Sequence, residues 1–255
     1  MIRLIAADLD GTLLDENHEL PAGVFDVILA LREKGVGFAA ASGRQYHNLR
    51  RLFYPVRDKI HYICENGALV VCRGKAKPCF FDAATAREII KDILSAGMEL
   101  LISSPDHCCV LQSASRTYTD DIIYRLKNTT AVLEDPFQAA DECIKISGFH
   151  PCGVKNLAPA LQEKWGKAVH CDVAGENWLD FTLTNKGSGI QALSRELGVS
   201  LSDIAAFGDQ FNDESMLSLA GRPYIMAHAP KALLEKGFER CEKVMPVLVE
   251  ILNSL

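Results

Sequence analysis

The chain runs to 255 residues, 48% of them apolar, with a formal charge of −6 at neutral pH. That apolar content suffices for one large core or two modest ones, and the acidic balance excludes the clustered Lys/Arg footprint that nucleic acid or anionic lipid requires. No run approaches the roughly 20 apolar residues of a membrane helix, and the N-terminal run stops at Asp8 without a cleavage-type segment, so a cytoplasmic protein without membrane or nucleic-acid partners is expected.

Residues 2–7 form a short apolar run ended by polar residues, which suits a strand buried on both faces of a parallel sheet and places Asp8 at its carboxyl end. Val24, Val27, Ile28 and Leu31 recur at helical spacing within 21–34, and Gly35 supplies a stop. Residues 36–41 repeat the strand signature and lead into Ser42-Gly43-Arg44, after which 45–53 reads as helix. Such alternation predicts a doubly wound α/β sheet, with ligands in the crevice at the strand carboxyl ends.

The pattern changes after Phe81. Strands are predicted at 100–103, 109–112, 144–149, 168–173 and 179–183, with a helix at 120–126. Alternation then resumes with a helix over 187–197, a strand over 204–207, a helix over 213–219 and a strand over 224–227. The economical reading is one α/β core from residues 1–81 and 185–255, interrupted by an α+β insertion over 82–184 that serves as a cap.

Nine cysteines in no C-x-x-C pair, two of them the neighbours Cys108 and Cys109, predict reduced thiols that act mostly as small buried groups. His61 with Cys64 and His170 with Cys171 lack a second pair at zinc-finger spacing.

Three predicted strand ends carry the chemistry. Asp8-Leu9-Asp10-Gly11-Thr12 offers two carboxylates two residues apart. One can attack phosphorus while the other moves protons, and Gly11 permits a sharp turn out of the strand. An isolated D-x-D also serves as plain turn chemistry. Ser42 and the backbone N–H groups after it can take a phosphate oxygen, a role compatible with helix N-capping. Lys186, just ahead of a helix, offers a fixed positive charge, although most lysines are solvated. Gly208-Asp209-Gln210-Phe211-Asn212-Asp213 adds two acids and an amide at the third strand end, hard-oxygen ligands of the kind Mg²⁺ takes.

Taken in order, Asp8-Leu-Asp-Gly-Thr-Leu-Leu, Ala41-Ser42-Gly43-Arg44, Asn185-Lys186-Gly187 and the Gly208–Leu217 segment resemble the four motifs of haloacid dehalogenase-like phosphatases, and most of all the Cof-type subfamily. Glu65-Asn66-Gly67-Ala68 and the insertion resemble that subfamily's core loop and large α/β cap, so the likeness spans nearly the whole chain. The resemblance implies Asp8 as nucleophile, Asp10 as general acid/base, and Ser42 and Lys186 as phosphoryl binders. It further implies Mg²⁺ held by the Asp8 carboxylate, the Asp10 backbone carbonyl and Asp209, with Asp213 in or just behind that shell and Asn212 near the phosphate. Gly43, Arg44 and Asn66 are expected on core loops near the substrate. The chain departs from many relatives at Met226-Ala227-His228-Ala229, where His228 is expected as an exposed or hydrogen-bonded loop residue, and in its shorter ending.

The implied activity is hydrolysis of small phosphate monoesters, with phosphorylated sugars leading. Rival readings are a phosphomutase, a phospho-acceptor module that stores phosphate, and a D-x-D glycosyltransferase. A storage module has no use for Asp10 or a cap, and a glycosyltransferase leaves Ser42, Lys186 and the 208–213 segment without explanation. Asp106, His107, Lys145 and Asn177 are polar cap candidates of equal standing. Residues 35–40 resemble a dinucleotide fingerprint, but their glycines come before the strand rather than between strand and helix; 148–155 lacks the P-loop spacing, and no G-x-S-x-G is present.

Overall fold

The N-terminal apolar runs are strands β1 (Leu4–Ala7) and β2 (Gly37–Ala41), followed by β3 (His61–Cys64), β4 (Leu69–Cys72) and β5 (Lys75–Pro78). A second set comprises β6 (Glu99–Ser103), β7 (Cys108–Leu111), β8 (Thr130–Leu133), β9 (Lys145–Phe149), β10 (His170–Ala174) and β11 (Trp178–Thr182). The chain finishes with β12 (Ile204–Gly208), β13 (Arg222–Met226) and β14 (Glu239–Cys241). The computed structural model describes residues 1–255 and divides into two units. One holds Met1–Arg44, Leu49–Lys77 and Asn185–Leu255; the other holds Gln45–Asn48 and Pro78–Thr184.

The first unit is built on an eight-stranded sheet in the order β14-β13-β12-β1-β2-β3-β4-β5. Pairing is parallel from β14 through β3, and β4 turns back antiparallel to β3. Every residue of β1 and β12 is buried, as expected of central parallel strands covered on both faces. Leu4, Ala6, Ala39, Ala41, Ile204 and Ala206 face one way and pack with Ile190, Leu193, Met216 and Leu217 from the helices Lys186–Leu197 and Glu214–Leu217. The helix Val24–Glu33 packs on β2 and against the C-terminal helix Val244–Asn253. Small alanines in β1, β2 and β12 let these layers approach closely. The doubly wound α/β core expected from the sequence is present.

The second unit carries a six-stranded sheet, β10-β11-β9-β6-β7-β8, antiparallel except for β7 with β8. Leu100, Ile102, Ile146, Leu179 and Phe181 on one face pack against Ala86, Ile89, Ile90 and Ile93 of the helix Ala83–Ser95. The other face packs Leu101 and Val110 with Tyr118 and Ile122. Cys108 and Cys109 belong to opposite faces, as alternation along a strand requires. All nine cysteines are free thiols. No helix is long and apolar enough to cross a membrane.

Several elements lie outside the sequence reading. Strands β3, β4 and β5 and the helix Ala83–Ser95 occupy stretches between the predicted elements. Asp82 caps that helix by accepting from the Thr85 N–H, and its buried residues 86, 89, 90 and 93 follow helical spacing. The helix Ala158–Trp165 and strand β8 are likewise additions of the structure. The helix expected at 120–126 begins earlier, at Arg116, where Ser115 caps it, and widens into a looser turn over Asp121–Arg125.

Candidate active site

Chain order runs outward from β1 in both directions, through β2 and β3 on one side and β12 to β14 on the other. Such a reversal leaves an open crevice beyond the carboxyl ends of the central strands. Asp8 follows β1, Ser42 follows β2 and Asp209 follows β12, so three neighbouring strands deliver their terminal residues to one place. The ladder carries each residue into position: the Asp8 N–H donates to Phe207 O at 3.0 Å, and the Ser42 N–H donates to Ile63 O at 2.8 Å.

Lys186 opens the helix Lys186–Leu197 and is 1% exposed. Asn185 caps that helix by accepting from the Ser188 N–H, which fixes the backbone from which Lys186 reaches inward. Its Nζ lies 2.5 Å from Asp8 Oδ1 and 2.5 Å from Asp213 Oδ1. The second Asp213 oxygen, Oδ2, accepts the Asp209 and Gln210 backbone N–H groups, each at 3.0 Å. Asp213 therefore shapes the turn that presents Asp209. Asp209 in turn accepts from Thr12 Oγ1 at 3.0 Å and Gln210 Nε2 at 3.1 Å.

Asp8, Asp209 and Asp213 are all buried, with ligand oxygens within 4.8 Å of one another. Burial pushes the Asp8 carboxyl up from 3.8 to about 8; the charge of Asp213 adds to this, and the opposing pull of Lys186 does not offset it. Burial and Asp213 also raise Asp209, against the hydrogen bonds from Thr12 and Gln210. For Lys186 burial acts downward, but Asp213 and Asp8 outweigh it and hold the ammonium above its ordinary pKa. When all three acids are ionised, three carboxylates beside one ammonium leave a deficit of two positive charges.

That deficit, together with an all-oxygen donor set, fits a hard divalent cation. Gly11 shows how little room is spared beside the cluster. It sits at φ +81°, and a Cβ there would lie 2.4 Å from Asp209 Oδ2. A side chain at position 11 would push the Asp209 carboxylate out of place.

The remaining expected residues form a second group. Asn66 donates its N–H to Ser42 O at 3.1 Å, and its Oδ1 accepts from Asn212 Nδ2 at 3.2 Å. A Cβ on Gly43 would lie 3.2 Å from that same Oδ1. Ser42, Gly43, Asn66 and Asn212 are thus contiguous. Glu65, Asn66 and Gly67 have successive φ values of 49°, 54° and 98°, an unusual run of left-handed residues. Gly67 is required there, because a Cβ would lie 2.2 Å from Asn185 O, one residue before Lys186.

Asp10 stands apart from the acid cluster. Its carboxylate pairs with Arg44, so Arg44 faces an acid. His228 is exposed, with Nε2 3.7 Å from Asp209 Oδ2, the loop position expected of it. Thr12 and Gln210 both lie inside the motifs at the strand ends, and nothing in their spacing marks either as a partner of Asp209.

The profile of the haloacid dehalogenase-like hydrolase family matches residues 5–238. The 5-amino-6-(5-phospho-D-ribitylamino)uracil phosphatase of Escherichia coli K12 is 26% identical, across 99% of this chain and 97% of its own. The HMP-PP phosphatase of Cronobacter sakazakii is 27% identical over 92% of this chain and 87% of its own. Among solved structures, a haloacid dehalogenase-like hydrolase from Bacteroides thetaiotaomicron superposes with a TM-score of 0.83 at 16% identity, covering 98% of this chain and 100% of that one. With a single profile spanning both ends of the core and the insertion between them, the chain belongs to the haloacid dehalogenase-like hydrolase family.

Proposed function

We propose that this hydrolase is a Mg²⁺-dependent phosphatase that releases phosphate from small phosphorylated metabolites through an aspartyl-phosphate on Asp8. The observation that carries the proposal is the buried line Asp8, Lys186, Asp213, with Asp209 beside it, at the reversal point of a parallel sheet. Lys186 occupies Asp8 Oδ1, which leaves Oδ2 to attack phosphorus. Asp10 gives a proton to the leaving oxygen as the phosphorus–oxygen bond breaks. It then takes a proton from water, which attacks the phosphorus and frees Asp8. Ser42 and Lys186 bind the phosphoryl oxygens, and Gly43, Asn66 and Asn212 line the approach.

Asp8, Asp209 and the Asp10 carbonyl would hold Mg²⁺, with Asp213 supporting from behind; the ion supplies the two charges that the carboxylates lack. Most of the catalytic gain comes from positioning and charge neutralisation, as expected for phosphoryl transfer through a loose transition state. Residues 82–184 are assigned substrate selection. Sugar phosphates lead as substrates, and the relatives named for a phosphoribitylamino-uracil and for HMP-PP put other small phosphorylated metabolites beside them.

The test is phosphate release from a panel of hexose, pentose and polyol phosphates plus HMP-PP, in Mg²⁺ or EDTA, for wild type and Asp8→Asn. Metal-dependent release that the variant lacks supports the reading. Absence of release from every compound, with a stable phosphate on Asp8, would sink it in favour of a mutase or a phosphate-storing module.

A further inference from the structure

Arg44 is expected near the substrate, yet its guanidinium is committed to another residue. Nε donates to Asp10 Oδ2 at 2.8 Å and Nη2 pairs with Asp10 Oδ1. Two parallel bonds from one guanidinium fix the plane of a carboxylate as well as its distance, which a single donor or an ammonium cannot do. Both partners have anchored backbones. The Arg44 N–H donates to Ser42 Oγ at 3.2 Å, and the Arg44 carbonyl accepts from the Glu65 N–H at 3.2 Å. The Asp10 turn is closed by Leu13 N–H to Asp8 O at 3.3 Å and Leu14 N–H to Leu9 O at 2.9 Å. The Asp10 side chain itself is 45% exposed. Without the fork it would be a short acid on a solvent-facing turn, free to rotate. His18 Nδ1 comes within 3.4 Å of Asp10 Oδ1, but from a side chain 73% exposed, so it cannot impose the same order.

We propose that Arg44 is a positioning residue that sets the orientation of the Asp10 carboxyl for proton transfer, and that it is not primarily a phosphate ligand. The proposal rests on Asp10 acting as general acid/base, as assigned above. It separates two roles that predict different kinetics. A phosphate-binding arginine touches the part that all phosphomonoesters share, so its loss raises KM and lowers rate alike for every substrate. An arginine that aims the proton donor matters only when the leaving oxygen needs a proton, so its loss grows as the leaving group becomes more basic.

The experiment compares wild type, Arg44→Ala, Arg44→Lys, Asp10→Asn and Arg44→Ala/Asp10→Asn on aryl phosphates of graded leaving-group acidity and on the best alkyl phosphate from the panel. General acid–base catalysis is worth about 10²- to 10⁴-fold. Misplacing its donor should therefore cost Arg44→Ala at least about tenfold more kcat on the alkyl phosphate than on p-nitrophenyl phosphate, with KM within about threefold. Arg44→Lys, which keeps the charge without the fork, should recover only part of this loss. The double variant should be no worse than Asp10→Asn, since both changes remove one function. A KM rise and rate loss of equal size for all leaving groups would overturn the proposal, as would full additivity of the two changes. Should Arg44→Ala fail to fold, Arg44→Lys carries the same comparison. Wild type inactive on every compound would bring down the phosphatase reading itself, whereas an active wild type with a flat leaving-group profile for Arg44→Ala removes this proposal alone.

Discussion

Asp8→Asn should abolish turnover and, in the absence of a divalent cation, make the protein more stable. In the folded chain burial lifts the Asp8 carboxyl from 3.8 to about 8, with Asp213 adding to the effect. The folded state therefore keeps a proton that the unfolded state releases, and between those values stability falls as pH rises. At pH 7 the gap above 3.8 is about 3 units at about 1.4 kcal/mol each, so the carboxylate costs at most on the order of 4 kcal/mol. Asparagine resembles the protonated acid in shape, still offers an oxygen to Lys186, and incurs no such cost; Lys186 also retains Asp213. For a chain of this length each kcal/mol is worth about 2–4 °C in Tm. The assay is thermal unfolding in EDTA from pH 5 to pH 8.5. The variant's advantage should be small at pH 5, grow with pH and level off above about pH 8, and saturating Mg²⁺ should shrink it by restoring the wild type. A variant less stable than wild type in EDTA at pH 7, or a difference independent of pH, would refute the argument.

Cation binding should itself depend on pH. Asp8 and Asp209 both have raised proton affinity through burial and Asp213, so a cation must displace a proton below about pH 8, and the Mg²⁺-induced rise in Tm should be larger at pH 8 than at pH 6, with proton release visible by calorimetry in buffers of different ionisation enthalpy. Thr12→Val keeps the side-chain shape but removes the donor to Asp209 Oδ1; Mg²⁺ affinity measured by titration should fall about tenfold, as typical for loss of a group that orients a ligand. Gly67→Ala places a Cβ 2.2 Å from the Asn185 carbonyl at φ +98°; backbone must move, so a loss of about 3 kcal/mol or more is expected in urea unfolding, together with displaced Lys186 and lost activity.

The core elements were legible where burial is two-sided. Strand β1 consists of four buried residues with no polar interruption, and β2 and β12 are similar, so a continuous apolar run identifies them. Strand β4, four buried apolar residues, carries the same signal as β1, whereas β5 is hidden for the opposite reason. β5 is Lys-Ala-Lys-Pro with three exposed residues at a sheet edge, so nothing in its composition separates it from a loop. The helix Ala83–Ser95 is a different case: both its cap, Asp82, and its apolar stripe at 86, 89, 90 and 93 are visible in the sequence.

The site divides along the same line. Asp8, Lys186, Asp209 and Asp213 end strands or open helices in recognisable motifs, and each is anchored by the elements beside it. What spacing cannot express is which member of one motif bonds to which member of another. Asp10 and Arg44 are 34 residues apart, and each alone looks like a group waiting for substrate. Only parallel pairing of β1 with β2 brings their following turns side by side, and only then does the guanidinium meet the Asp10 carboxylate. The sequence places Arg44 near the substrate, and its pairing with Asp10 in a different motif is a contact that spacing alone does not express. The same limitation applies to Thr12 and Gln210: their importance lies in the Asp209 oxygens they orient, a contact made only after β12 has been laid beside β1.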